Sequence, residues 1–457
     1  MLYRRELLGE ASPLTLRYTS SMEYDKLIAC EVLEVMGAYI EELRELKVVP
    51  EDAANRILGE LENLIAEPSK LFHIKAEDVH EAIEVHLKEK LGSDAGYIGL
   101  GRSRNDHVAA ALRLKVSRLL LKLLKSIVGF RRTLLSRASA SINVLIPLYT
   151  HSQPAQISTL AHYFLYIDEM LSDYSSALVK ALDITVRSPL GSGPAAGVMA
   201  PLDRGRLASK LFGGMLAVNT LYASGGREFS LITLALVSSL LVSLSRVAED
   251  FILFSLPQVG YFKLPAGHLA TSSIMPHKVN PVTMEIVRAK AGGVLGKFVS
   301  VASIVKGIPS GYNLDLQEAN RPVIEALMEA IDTLEVLRDA IENVEVNAGA
   351  VEGDIKRYPL LASDIAELIA LKTGKPFREA HKELAKLVKE AKNTEELYNR
   401  VREAYNINLN PKDAVKRPVN GSPSPENVKS HMEKSLKNIE EFEAELSKYS
   451  FLEKSRC

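Results

Sequence analysis

The segment T-S-S-I-M-P-H-K-V-N-P, Thr271 to Pro281, gathers two serines, an imidazole, an ammonium and an amide within a chain that is otherwise apolar and helix-patterned around it. A serine hydroxyl becomes a nucleophile or base only when its proton is drawn off, and a cation such as Lys278 favours the alkoxide. In an extended loop, Lys278 and Asn280 fall on one side and can donate to a single carboxylate. Such donors suit removal of a proton from the carbon beside a carboxylate. The product of that step is a dianionic aci-carboxylate, and each positioned donor is worth roughly 100 to 1000-fold in rate. A plainer reading is also open: Asn280 as an N-cap and Pro281 as the first residue of a helix, with Pro276 stiffening the approach. It accounts for Asn280 and Pro281 and leaves Ser272, Ser273, His277 and Lys278 unexplained.

Other polar islands interrupt the chain. In G-L-G-R-S-R-N-D (99–106), Arg102 and Arg104 suit bidentate pairing with carboxylates of an anionic substrate. Equally, they suit a salt-bridged loop in which Asn105 or Asp106 caps a helix beginning at Val108. In Y-T-H-S-Q-P-A-Q (149–156), His151 lies between hydroxyl and amide side chains, an arrangement for proton transfer or for structural hydrogen bonding. S-P-L-G-S-G-P-A-A-G (188–197) is too glycine-rich for a helix and too apolar for an exposed linker. It lacks the G-x-x-x-x-G-K-[ST] pattern, so it reads as a close-packed turn near a ligand and not as a nucleotide loop. G-Y-N-L-D-L-Q-E (311–318) is a further island. His73, His80 and His86 have the wrong spacing for a metal site, and no G-x-S-x-G elbow is present. No cofactor is expected.

These islands need a scaffold, and the rest of the chain reads as one. Of 457 residues, 47% are apolar and 25% charged, enough for a large core, and the formal net charge of -1 gives no nucleic-acid footprint. Two cysteines, Cys30 and Cys457, cannot build a disulfide framework, which fits a reducing cytoplasm. The first ten residues place charges where a signal peptide needs its apolar run. Residues 229–245 carry no charge but fall short of a membrane span, include several serines and are followed at once by Arg246, Glu249 and Asp250. They predict a helix buried on all sides, inside a bundle or between subunits.

Apolar residues recur at helical spacing over Val108–Leu135 and Leu327–Val344, and alternating strand patterns with hairpin turns are scarce. The fold class is therefore all-α: a long-helix bundle (107–350) with smaller helical domains before it (1–106) and after it (351–457). In the last block Gly374 and Pro376 separate two helices, and R-P-V-N-G-S-P-S-P-E (417–426) is a turn-rich loop ahead of a final charged helix.

The segment S-S-I-M-P-H-K-V-N-P resembles the signature loop of the fumarase, aspartase and argininosuccinate lyase superfamily, whose members eliminate fumarate from succinyl compounds. G-R-S-R-N-D, Y-T-H-S-Q-P-A-Q, P-L-G-S-G, Y-N-L-D-L-Q-E and G-K-P-F-R-E-A-H are similar to the argininosuccinate lyase branch, in order along nearly the whole chain. The resemblance implies a fumarase/aspartase-like fold, and a cytoplasmic homotetramer whose active sites are each assembled from three subunits. It also implies cleavage of L-argininosuccinate to fumarate and L-arginine without metal or organic cofactor, with no nucleic-acid or membrane partner.

By motif position, Ser272 matches the base that takes the Cβ proton, and His151 the group that donates a proton or supports the leaving guanidinium. Lys278 and Asn280 match the groups that hold the carboxylate. Ser21, Arg104, Asn105, Thr150, Tyr312 and Gln317 fall at substrate-contact positions, and His80 and Glu84 fit an H-x-x-x-E helix. The chain departs from the pattern at Gly99-Leu100, at Thr271 where glycine is usual, at Ser224–Glu228 where S-D-R-D is usual, and at Asn320 where lysine is usual. The N-terminal W-G-G-R-F of the family is not recognisable in L-Y-R-R-E-L-L-G-E. The readings this leaves in competition are adenylosuccinate lyase, whose loop also carries M-P-x-K-x-N-P, and a non-catalytic structural homologue. Y-N-L-D-L-Q-E and G-R-S-R-N-D speak against the first, and the joint presence of Ser272, His151, Lys278 and Asn280 against the second.

Overall fold

The computed structural model describes residues 8–454. Cys457 and residues 1–7, which include most of the charge pattern read against a secretion signal, lie outside the described residues.

The frame is helical, and the elements that position the islands are these: α1 (Ala29–Glu45), α2 (Val79–Leu91), α3 (Arg104–Ala140), strands β1 (Leu145–Thr150) and β2 (Gln153–Thr159), α4 (Leu160–Thr185), α5 (Glu228–Ser255), strands β3 (Ala270–Thr271) and β4 (Val279–Asn280), α6 (Val282–Val305), α7 (Asp315–Asn343), α8 (Ala362–Thr373), α9 (Phe377–Glu390) and α10 (Pro425–Leu446). Helices α3 to α7 pack along one another and share one apolar core. The long α3 starts earlier than its apolar periodicity indicates. Ser103, not Asn105 or Asp106, is the N-cap: its hydroxyl accepts the Asn105 N–H, while the Asp106 carboxylate accepts the Ser103 N–H in a capping box. The final helix α10 is keyed into this core by a buried polar knot. Arg131 of α3 donates to Asp168 of α4 at 2.8 Å and to Asn438 of α10 at 2.9 Å, and Ser435 donates to the same aspartate.

Helix α5 is not covered on all sides by its own chain. Only half of its apolar window is buried within the chain, and Ile232 and Val242 are 37% and 44% exposed. One face packs through Phe229, Leu234, Val237 and Leu241, while the opposite face, together with Ile286, Leu295 and Val299 of α6, is uncovered. Burial on all sides is thus not a property of the single chain.

A second apolar cluster, built from Leu360, Ile365, Ile369, Leu384, Leu397 and Val401 among others, sits apart from the first. Between α8 and α9, Gly374 takes a left-handed φ of 68° as the C-cap and Pro376 precedes the next helix, as their spacing predicts. Cys30 is disulfide-bonded.

Candidate active site

The signature segment folds as a small hairpin. Thr271 pairs with Val279 and Ala270 with Asn280, and the Ser272 N–H donates to the Lys278 carbonyl at 3.2 Å. Inside the turn, the Ser272 Oγ accepts the N–H of Met275 at 3.1 Å and of Ile274 at 3.4 Å. Two backbone dipoles thus converge on the oxygen that would carry negative charge as an alkoxide, and both stabilise it. Asn280 is a ladder residue and not the N-cap; Pro281 occupies the cap position and α6 begins at Val282. Pairing in the strand fixes Asn280 in extended backbone, which removes it from the cap role. The strand also explains Thr271, since a β-branched residue suits a paired extended position. The hairpin projects outward, with Ile274 84% exposed and Lys278 and His277 also exposed.

His151 stands at the tip of a second hairpin. Thr150 pairs with Gln153, and the two residues between them, His151 and Ser152, have φ of 51° and 57°. Positive φ at both central positions is the type I′ turn that matches strand twist, normally filled by Asn-Gly. Holding two residues with side chains there costs on the order of 1 kcal/mol each, a strain typical of functional turns. The hairpin was not visible in the sequence because its turn lacks that signal. Thr150 and His151 are exposed, and β1 is fixed behind them by Tyr149, whose hydroxyl lies 3.0 Å from that of Tyr261; Tyr261 in turn donates to Asp354 at 2.6 Å.

The third group is largely buried. The Ser21 hydroxyl donates to Asp25 at 2.8 Å, the Val79 N–H donates to the same carboxylate at 3.1 Å, and Arg104 pairs with Asp78 at 3.0 Å. Burial pushes the Asp25 carboxyl up to about 6, against the pull of those two hydrogen bonds, and burial raises Asp78 as well. Tyr312 lies among these charges. Its hydroxyl is raised by burial, opposed by the nearby Arg227 and Arg104 and reinforced by Asp78 and Asp25. Gln317 donates to the Thr19 carbonyl at 3.1 Å, and Asn105 to the Pro194 carbonyl at 3.2 Å.

The two arginines of R-S-R-N-D divide their work. Arg102 is a clamp, bonded to Glu84 at 2.9 Å and to the His80 Nδ1 at 3.2 Å, both on α2. Arg104 faces the Tyr312 group. The P-L-G-S-G turn holds Asp106, whose carboxylate accepts the N–H groups of Gly191 and Gly193 at 3.1 and 3.0 Å. Gly193 has φ 58°, and a Cβ there would meet the Gly197 carbonyl oxygen at 2.7 Å, so only glycine fits.

Ser21, Arg104, Tyr312 and Gln317 are therefore gathered by elements around the start of α7, and Asn105 lies next to Arg104. His151 with Thr150, and Ser272 with Lys278 and Asn280, occupy separate hairpins. Among the described residues, no hydrogen bond or ion pair joins either hairpin to the Tyr312 group. Sequence reasoning missed Asp25, Asp78 and Arg227. Asp25 ends S-S-M-E-Y-D (20–25), Arg227 lies within Ser224–Glu228, Asp78 stands two residues before His80, and none has a distinctive spacing of its own.

A lyase family model matches residues 6–296. Argininosuccinate lyase from Pyrococcus furiosus is 45% identical over 97% of this chain and 97% of its own length. The argininosuccinate lyases of Pyrobaculum arsenaticum and Sulfurisphaera tokodaii are 41% and 39% identical over 95% and 98% of this chain, and over 98% and 95% of their own lengths. The chain belongs to the argininosuccinate lyase family. Solved structures agree on the fold of that family's superfamily. An EDDS lyase variant with bound fumarate superposes with a TM-score of 0.81 at 23% identity, covering 98% of this chain and 94% of that one. A class II fumarase from Schistosoma mansoni gives 0.63 at 17% identity, covering 82% of this chain and 89% of that one. The argininosuccinate lyase family thus accounts for the order of the islands and for the all-α fold that carries them.

Proposed function

We propose that this chain is a carbon–nitrogen lyase that splits L-argininosuccinate into fumarate and L-arginine, the closing step of arginine biosynthesis, in the cytoplasm. The observation that carries the chemistry is the Ser272 Oγ accepting two backbone N–H groups inside a loop that also presents Lys278 and Asn280. The Ser272 alkoxide takes the Cβ proton, and the electron pair of that C–H bond moves into the adjacent carboxylate to form the aci-acid, held by Lys278 and Asn280. Collapse of the aci-acid forms the carbon–carbon double bond of fumarate and breaks the C–N bond. The guanidino nitrogen leaves with that electron pair and takes a proton, with His151 as its donor or support.

Ser21, Arg104, Asn105, Thr150, Tyr312 and Gln317 bind the rest of the substrate. Because no hydrogen bond or ion pair joins the hairpins to the Tyr312 group among the described residues of one chain, the working site is read as assembled across subunits of a homotetramer. The uncovered faces of α5 and α6 support this. The helical blocks 1–106, 107–350 and 351–457 are its domains.

Purified protein given argininosuccinate should release fumarate, followed by its ultraviolet absorbance. Turnover of adenylosuccinate with none of argininosuccinate would overturn the assignment. A monomer at micromolar concentration in analytical ultracentrifugation would overturn the shared site.

A further inference from the structure

One cation near Tyr312 has no assigned task. Arg227, the N-cap of α5, is 1% exposed, and its two hydrogen-bond partners are neutral: the Gly226 carbonyl at 3.1 Å and the Asn320 side-chain oxygen of α7 at 3.4 Å. Its Nη2 is buried with no partner. Glu228 acts on it electrostatically without a hydrogen bond, and the equally buried Arg113 opposes it. Burial lowers its pKa to about 10, which still leaves it charged at neutral pH. A buried cation with only neutral hydrogen-bond partners carries a desolvation cost of several kcal/mol that an anion would offset.

Arg227 also borders a cavity of about 350 Å³, together with Tyr222, Gly226, Gly311 and Leu316. The backbone is brought in tightly on this side. A Cβ on Gly225 would lie 2.5 Å from the Gly311 carbonyl carbon, so glycine at 225 is what lets the α5 approach and the Gly311-Tyr312 turn close together. Around the Tyr312 hydroxyl the charges are then sorted by sign, with the Asp25 and Asp78 carboxylates and the Arg227 guanidinium all acting on it. A cation and carboxylates about one hydroxyl form the pattern that receives the ammonium and carboxylate of a free amino-acid end.

Building on the lyase reading above, we propose that Arg227 binds the α-carboxylate of the arginine half of the substrate through Nη2, with Asn320 holding the guanidinium in place. The succinyl carboxylate that becomes the aci-acid already has Lys278 and Asn280. The amino-acid carboxylate is the anion that comes with an ammonium, and Arg227 is a buried cation without a charged hydrogen-bond partner whose field meets those of Asp25 and Asp78 at Tyr312. Nη2 is screened from water, so the carboxylate reaches it by displacing the wall that covers it.

The test compares arginine with agmatine, which is arginine without its carboxylate, by calorimetric titration of the full-length oligomer in the presence of fumarate. The native protein should bind arginine at least about tenfold more tightly than agmatine, the size of one charge-assisted hydrogen bond. Arg227→Gln should bring that ratio close to one. Because this change removes a buried group, Asn320→Asp is the companion variant: it gives Arg227 a counter-charge, keeps the fold, and should lower the ratio by about fivefold or more. KM for argininosuccinate should rise in both variants by more than kcat falls. Equal binding of arginine and agmatine by the native protein, or a native ratio retained in folded Asn320→Asp, overturns the proposal. Fumarate release by the native protein is scored separately, so failure of the lyase reading is distinguishable from failure of this one.

Discussion

The Ser272 hairpin and the Tyr312 group are built in opposite ways. The hairpin stands out from the bundle on two short strands, and its reactive oxygen is organised by its own backbone. The Tyr312 group is assembled from far-separated parts of the sequence, and its side chains are paired and substantially buried. In the proposed shared site, the groups that approach the substrate from a neighbouring subunit carry their preorganisation with them, and the groups proposed to receive it draw theirs from the core. The His151 hairpin follows the first pattern, with the cost of two positive φ values held locally.

If this contrast is right, Ser272→Ala should reduce turnover by about 1000-fold or more, with sedimentation as an unchanged oligomer. Near-normal turnover would remove Ser272 from the base role. Mixing Ser272→Ala with Tyr312→Phe, dissociating and reassembling the pair, should recover part of the native activity, because some sites then combine an intact hairpin with an intact binding group. No recovery from well-mixed oligomers would mean that both regions serve a site from the same chain.

Next in size, Gly225→Ala drives a methyl group into the Gly311 backbone and should lower the thermal midpoint by several degrees while raising KM. The Asp25 carboxyl, raised from 3.8 to about 6, gives a pH signature. A carboxyl whose folded pKa is raised opposes folding when ionised, so its contribution to stability falls as pH climbs from about 4 to about 6 and is flat above. Asp25→Asn should therefore gain stability relative to the native protein over that window, read as the difference between their melting temperatures at pH 4 and pH 7. The smallest effect is Ser152→Gly, which relieves one positive φ. It should stabilise by about 1 kcal/mol or less, in denaturant melts, with little change in kcat.

Much of the scaffold was legible because helical periodicity is a local property. Residues 108–135 fall inside α3, residues 327–344 fall inside α7 apart from Val344, its C-cap, and Gly374 with Pro376 marks a real helix break. What escaped were features set by partners distant in sequence or by turns of unusual composition. The His151 hairpin has no Asn-Gly. Asn280 reads as a cap until strand pairing claims it. Asp25, Asp78 and Arg227 gain meaning only when α2, α5 and the Gly311 turn meet. The incomplete burial of α5 has the same origin, since an apolar sequence does not say whether its cover comes from the same chain.

The knot of Arg131, Asp168, Ser435 and Asn438 ties together parts of the chain that are made at very different times. On the ribosome, Arg131 and Asp168 can meet as soon as α3 and α4 are out. The Asp168 carboxylate and the second arm of Arg131 must wait for α10, the last long helix to emerge. Until then the Arg131–Asp168 pair lacks the Asn438 and Ser435 partners that complete it in the folded chain. A chain cut short before residue 425 would keep that pair incomplete, with the seam that α10 closes left open.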